Sequence, residues 1–278
     1  MSECTGSCSS CEEKEQGRCT GEQQGKASVL NHVKRVIAVM SGKGGVGKST
    51  VTALLAVAYN KKGYKVGILD ADITGPSIPK LFGMNSAPPV TEFGILPPRS
   101  KQGIEIISMN LLLPSEDEPV IWRGPIISGA IKQFWEEVVW GDLDYLFVDL
   151  PPGTGDAPLT VMQTLPLHGV VVVTSPQDLA QMVVRKAVKM AQKMKVPLLG
   201  IVENMSFMEC PDGRHRLFPF GEGKAGLISQ EFNIPLVGTL PLDPSLSSLG
   251  DEGKIEESPA ADLLKIDVLT DRANTNGK

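Results

Sequence analysis

The chain of 278 residues carries 27 Lys and Arg against 32 Asp and Glu, a net charge of −5, and 41% of its residues are hydrophobic but only 5% aromatic. Such a balance offers no general electrostatic footprint for DNA or RNA, no apolar run approaches the ~20 residues of a membrane span, and no basic-then-apolar leader opens the sequence. The expectation is a cytoplasmic protein without nucleic-acid or membrane partners, in a reducing compartment where clustered thiols bind metal or do redox chemistry rather than pair as disulfides.

Residues 1–30 are polar, with Gly, Ser, Gln and Glu and almost no apolar side chain before Val29. They read as a flexible appendage, ordered only if something ties its cysteines together. Four of the five cysteines of the chain fall here, Cys4, Cys8, Cys11 and Cys19. From Val33 the character changes to short aliphatic runs alternating with helical patterns. VIAVM (36–40) predicts a buried strand, then a glycine-rich loop and a helix over Ser49 to Lys62. KVGILD (65–70) and GIEIISM (103–109) predict two more strands, and a helix runs after Pro125 through ISGAIKQFWEEVVW. DYLFVDL (144–150), GVVVVTS (169–175), PLLGIVEN (197–204) and PLVGTLP (235–241) complete the strands. Helices over Ala157 to Leu165, Leu179 to Lys193 and Lys224 to Phe232 separate them, and a polar stretch ends the chain. Strands this apolar, each followed by a helix-length segment, imply an α/β fold with a mostly parallel sheet covered by helices on both faces. No linker-like stretch divides the body, so the expected organisation is a cysteine-rich metal-binding tail, residues 1–30, and one α/β domain, residues 31–278.

Between the first strand and its helix stands SGKGGVGKST, in which Gly42, Gly47, Lys48 and Ser49 satisfy G-x-x-x-x-G-K-[ST]. Glycines let successive backbone N–H groups turn toward phosphate oxygens, and the helix that follows points its positive end at them. The residues in question are Gly42, Lys43, Gly44, Gly45, Val46, Gly47, Lys48, Ser49 and Thr50. Lys48 would reach the outer phosphates of ATP, and the Ser49 hydroxyl would ligate Mg²⁺. Asp149, closing the apolar run YLFVD, stands where a Mg²⁺-coordinating carboxylate is expected, and Gly153 and Gly155 of LPPGTGD follow within reach of a terminal phosphate. Asp70 and Asp72 end another strand at the same sheet edge. Asp72 is the preferred group to orient an attacking water, although a turn cap would use the same residue type.

Lys43 places a second lysine inside the loop, and KGGVGK resembles the deviant Walker A sequence of the MinD, ParA and nitrogenase-iron-protein class. In that class the extra lysine contacts phosphate across a dimer interface, so the resemblance implies a homodimer and a catalytic Lys43 that acts as an arginine finger does. DADITGPSIPKLFG (70–83), WRGP (122–125), DYLFVDLPPGTGD (144–156), VTSPQDLA (173–180) and GIVENMS (200–206) narrow the likeness. Together they resemble the Mrp/ApbC-type iron–sulfur cluster carriers, over residues 33–250. That resemblance implies an ATPase that binds a cluster, of the 4Fe–4S kind, and passes it to apo acceptor proteins, with hydrolysis slow until a partner stimulates it. It also implies Asn204 at the adenine base, with the backbone near Pro241 closing the pocket; a strand-end turn residue is the other reading of Asn204.

One departure separates this chain from the family pattern. The family carries a C-x-x-C pair after ENMS, whereas ENMSFMECPDGRHRLFPFG has Cys210 and then Gly213 in the second place. Two copies would offer two thiolates there, not four, so Cys210 is either a weak cluster ligand or a turn residue. The tail spacing C-x₃-C-x₂-C-x₇-C therefore gives the complete four-thiolate set, Cys4, Cys8, Cys11 and Cys19. Soft ligands of this number suit an iron–sulfur cluster or structural zinc, and spacing does not separate the two. The competing reading of the whole chain is a MinD- or ParA-like nucleotide switch whose tail holds zinc. Its membrane-associated versions end in a basic amphipathic helix, and DVLTDRANTNGK reads as polar and without an apolar face.

Overall fold

The computed structural model describes residues 30–72, 75, 77–108, 124–210 and 215–275. Cys4, Cys8, Cys11, Cys19 and the tail that holds them lie outside the described residues, as do Gly213 and part of the WRGP segment. Seven strands form one parallel sheet: β1 (His32–Ser41), β2 (Val66–Asp70), β5 (Glu105–Ser108), β6 (Asp142–Asp149), β7 (Gly169–Thr174), β8 (Leu198–Glu203) and β11 (Leu236–Thr239). Their order across the sheet is β11-β8-β7-β1-β6-β2-β5. Two short antiparallel hairpins, β3 (Val90–Thr91) with β4 (Gly94–Ile95) and β9 (Met208–Glu209) with β10 (Arg216–Leu217), stand outside it.

The period of two along a strand decides which side chain goes to which face. In β1, Ile37 and Val39 enter one apolar layer, while Val36, Ala38 and Met40 enter the other. The first layer is roofed by α1 (Lys48–Lys61), which is buried along nearly its whole length from Val51 to Tyr59. The second is roofed by α3 (Gly124–Glu137), α4 (Asp156–Thr164), α5 (Asp178–Lys193) and α6 (Ala225–Phe232). A sheet buried on both faces needs apolar residues at every position of its strands, and GVVVVT of β7 is buried at all six.

The C-terminal region corrects the expectation of a polar stretch without an apolar face. It forms α7 (Pro244–Asp251), two turns of 3₁₀ helix at Ile255–Glu257 and Pro259–Leu263, and α8 (Ile266–Thr275). Ile266, Leu269 and Ala273 repeat at helical spacing and are buried in the layer that also contains α1. Pattern reading failed here because the stripe is three residues wide and diluted by Asp267, Asp271 and Arg272. That segment closes over α1, which explains how so apolar a helix avoids water. The helix after Pro125 also ends earlier than its pattern suggested, at Glu137, because Val138 bridges to Ile95 and Trp140 turns into the core.

β1 lies between β7 and β6, and the chain leaves it for β2, two positions away. The sheet order therefore reverses at the C-terminal end of β1, and a crevice opens there between loops that depart in opposite directions. The glycine-rich loop, Asp70, Asp149 and the residues after β8 all lie at that edge.

Candidate functional site

The phosphate loop joins β1 to α1. Gly45 and Gly47 take left-handed backbone angles, φ 77° and 74°, which glycine adopts without steric cost. At Gly47 even the space is occupied, since an added Cβ would lie 2.3 Å from Asn204 Nδ2. Gly47 caps α1 with no side-chain hydrogen bond, and the first turn holds no acid. The opening N–H groups of the helix are thus left for an anion.

Lys48 is the centre of the charge arrangement. Its ammonium lies 2.8 Å from Asp149 Oδ2 and 3.5 Å from Asp72 Oδ2, with the lysine side chain 6% and that of Asp149 0% exposed. The Ser49 hydroxyl donates to Asp149 Oδ2 at 2.5 Å, and Thr52 Oγ1 donates to Asp149 Oδ1 at 2.8 Å. Both oxygens of the fully buried Asp149 carboxylate are therefore partnered, which offsets the cost of its burial. β-Sheet register explains the convergence, because Asp149 of β6 pairs with Asp70 of β2 on one side and with Val39 of β1 on the other.

The two aspartates of DAD divide their tasks. Asp70 is buried and accepts the backbone N–H of Asp72 at 3.1 Å and of Ile78 at 3.2 Å, with Ser108 Oγ donating to it at 3.3 Å. It fixes the loop that leads into the short helix α2 (Ile78–Leu81). Burial pushes its carboxyl above the ordinary range, the neighbouring Asp149 adds to the rise, and Lys48 and the two N–H donors pull against it. Capping thus falls to Asp70, and Asp72 is the carboxylate within reach of the Lys48 ammonium.

Lys43 departs from this cluster. Its ammonium donates to Gln177 Oε1, just before α5, rather than joining Lys48 and Asp149. On the other flank of the loop, Asn204 is 4% exposed, and its Nδ2 donates to the carbonyl of Val46 at 3.0 Å. Gly47, Thr50, Asn204, Met205, Pro241 and Asp243 help line a cavity of about 260 Å³, so Asn204 and Pro241 do share one pocket beside the loop. Three larger hollows, of about 430, 640 and 520 Å³, lie away from the phosphate loop and contain none of its residues. Chemistry, not size, selects the site.

Sequence reading did not find Thr52, Gln177 or Glu203. Thr52 was legible in principle, lying three residues after Ser49 on the same helical face. Gln177 and Glu203 lie inside the quoted segments VTSPQDLA and GIVENMS, but nothing in their spacing assigns either a role. Cys210 sits in the β9–β10 hairpin, where its N–H donates to the carbonyl of His215 at 3.0 Å. It is the one cysteine among the described residues. Among those same residues no group of three or more His, Cys, Asp or Glu side chains is placed to hold a metal ion by itself.

Comparison with known proteins points the same way as the geometry. Residues 32–269 match the family model described as ParA, NUBPL iron-transfer P-loop NTPase. An iron–sulfur cluster carrier protein of Clostridium perfringens is 44% identical over 275 residues, spanning 93% of this chain and 96% of its own. Another of that name from Methanocaldococcus jannaschii is 44% identical over 260 residues, 91% of this chain and 90% of its own. Among solved structures, a nucleotide-binding protein of Archaeoglobus fulgidus in complex with ADP is 48% identical. It superposes with a TM-score of 0.76 over 85% of this chain and 94% of that one. The septum site-determining protein MinD of Pyrococcus horikoshii, complexed with Mg-ADP, has a TM-score of 0.61 at 22% identity, covering 87% and 97%, and shares the fold alone. With a buried lysine–aspartate cluster behind a glycine loop at the switch point of a parallel sheet, and relatives matched over nearly their full length, the chain belongs to the ParA/NUBPL family of iron-transfer P-loop NTPases.

Proposed function

We propose that the protein binds and hydrolyses ATP and carries an iron–sulfur cluster, of the 4Fe–4S kind, to apo acceptor proteins. One observation carries the nucleotide half: the Lys48 ammonium is buried against Asp149 and Asp72 directly behind the left-handed turns of Gly45 and Gly47. One lysine facing two aspartates is a costly set to bury for structure alone, and its excess of carboxylates suits a divalent cation carried in on the phosphates. Iron-cluster carriage rests on the family and on relatives named for it.

The site residues take their roles from this placement. The N–H groups from Gly42 through Thr50 would surround the phosphates, and Lys48 would contact their outer oxygens. Ser49 and Asp149 present a hydroxyl and a carboxylate oxygen, a donor set that fits Mg²⁺ sharing the rest of its shell with phosphate and water. Bound there, Mg²⁺ would neutralise charge on the phosphates. Asp72, held 3.5 Å from Lys48, would orient the water that attacks. Asn204 and Pro241 would receive the base in the adjoining cavity. Lys43 turns away from the site of its own chain to Gln177, which supports a homodimer in which each copy lends its lysine to the other. The same cytoplasmic, reducing setting suits the cargo, a cluster held by thiolates.

Cys4, Cys8, Cys11 and Cys19 are the thiolates we assign to the cluster, with Cys210 as a subsidiary ligand. The MinD-like alternative loses ground to α8, whose buried Ile266, Leu269 and Ala273 are already spent on the core. No helix among the described residues is long and apolar enough to cross a membrane. Anaerobic reconstitution with iron and sulfide, read by absorbance and iron count, tests the assignment in wild type, a variant lacking residues 1–20, and Cys210→Ala. The deleted protein should lose most of its iron and Cys210→Ala should retain most of it. Full iron in the deleted protein would place the cluster elsewhere, and one zinc per chain in protein purified without added metal would favour the switch.

A further inference from the structure

Between β8 and α6, residues 204–210 and 215–224 leave the sheet beside the phosphate loop and carry Cys210 on the β9–β10 hairpin. Both ends of this stretch return to one side chain. Glu203, the last residue of β8, is 2% exposed. Its Oε1 accepts the Ser206 hydroxyl at 2.9 Å, and its Oε2 accepts the N–H groups of Lys224 at 3.0 Å and Ala225 at 2.8 Å. The approach is close enough that a Cβ on Gly223 would lie 2.0 Å from Glu203 Oε1. A buried carboxylate serving donors from both ends of a loop closes that loop as a unit.

The adjoining residue joins the same unit to the nucleotide site. Asn204 donates its N–H to Thr174 at 2.9 Å and its Nδ2 to the carbonyl of Val46 in the phosphate loop at 3.0 Å. Met205 follows in a left-handed conformation, φ 56°, which a non-glycine residue holds only where its surroundings fix it. Next, Phe207 accepts the N–H of Leu242 at 2.7 Å, beside Pro241 of the cavity, and its ring lies 4.0 Å from the Arg216 guanidinium of the hairpin. Leu217 and Phe218, on the outer strand and just beyond it, face solvent at 55% and 47% exposure. The apolar outer hairpin is thus connected to the phosphate loop through a short series of bonds that all pass its root.

We infer that Glu203 is a positioning residue that makes the nucleotide cavity and the Cys210 hairpin move as one piece, so that nucleotide contact at Asn204 and the phosphate loop alters the hairpin. The inference rests on the nucleotide-site reading given above. Its content is specific: the loop alone would respond to nucleotide without Glu203, whereas the hairpin would not.

Amide hydrogen exchange of the full chain, with ADP and Mg²⁺ as probe, separates these parts. In wild type, peptides covering residues 41–50 and residues 205–222 should both change their exchange by about threefold or more on adding ADP and Mg²⁺. In Glu203→Ala, which removes both acceptor oxygens from the Ser206 hydroxyl and from the N–H groups of Lys224 and Ala225, the 41–50 response should persist and the 205–222 response should vanish. Gly223→Ala displaces the same carboxylate by steric contact at a position outside the sheet, and should reproduce the loss if the first variant fails to fold. A hairpin response in these variants equal to that of wild type would overturn the role of Glu203. A silent hairpin with a responding loop in wild type would overturn the coupling and leave the nucleotide site standing. Silence at both segments in wild type would overturn the coupling and the nucleotide reading together.

Discussion

At the scale of single residues, the site is a problem of charge balance. One ammonium, Lys48, faces Asp149 and Asp72, with Asp70 buried behind them. Lys48→Ala removes both the phosphate contact and the compensation of buried carboxylates, so ADP affinity should fall about a hundredfold or more, ~2.7 kcal/mol, by calorimetric titration. Iron content of the tail should stay at the wild-type value in the same variant; joint loss would mean that tail and body are not separate modules. Away from this cluster, Glu105 is another buried carboxylate, bonded through Oε1 to Arg99 at 2.7 Å. Its pKa is raised, by burial first, with Arg99 pulling the other way. A raised carboxyl holds its proton in the folded state at a pH where the unfolded chain has released it. Its contribution is therefore most favourable at and below the ordinary Glu range and is lost as pH rises through the folded value. Glu105→Gln should accordingly gain on wild type in urea-melt stability from about pH 4.5 toward neutrality, reversing the usual acid limb. A difference that is flat with pH would show that Arg99 cancels the burial.

At the scale of elements, α1 and α8 are a matched pair. α1 is buried from Val51 to Tyr59 because the phosphate loop sends it across one face of the sheet and the C-terminal segment covers its other side. Leu269 of α8 is fully buried, and its Cδ2 lies 3.0 Å from where a Cβ on Gly200 of β8 would stand. The Val237 side chain of β11 would lie closer still, at 2.2 Å, so Gly200 makes room for both neighbours, and Leu269→Ala would leave a cavity on the α8 side. The expected cost is about 3 kcal/mol, read as a lower urea midpoint at unchanged slope. Asp271→Ala, on the exposed side of the same helix, should stay within about 0.5 kcal/mol of wild type. Equal small effects would mean that α8 is only loosely attached.

At the scale of the whole molecule, the sheet order sets where everything functional meets. The reversal at β1 gathers the loop, Asp149, Asp70 and the root of the Cys210 hairpin at one edge, although these residues come from segments up to 160 positions apart. Lys43 points out of this gathering to Gln177. Lys43→Ala should lower ATP turnover by about a thousandfold if the lysine supplies charge at the transferring phosphoryl group across a dimer. It should also abolish ATP-dependent dimer formation in sedimentation. Normal turnover in the variant would assign Lys43 to its own chain's surface instead.

The phosphate loop was legible from sequence because its chemistry is local: glycines, Lys48 and Ser49 are neighbours and must be. The strands were legible because a sheet covered on both faces demands unbroken apolar runs such as VIAVM and GVVVVT. Asp149 could be placed because it ends such a run. The allotment of Asp70 to the loop and Asp72 to Lys48 was decided only in three dimensions, since Asp70 ends β2 whereas Asp72 lies past the strand, where the turn of the chain brings it to the lysine. Gln177 and Glu203 likewise became functional candidates only through contacts 134 and 21 residues away. The apolar face of α8 stayed hidden for the same reason: three buried positions mean little in a polar segment until the fold supplies the surface against which they are buried. Local spacing determined the chemistry of this protein, and the register and order of its strands determined where that chemistry is assembled.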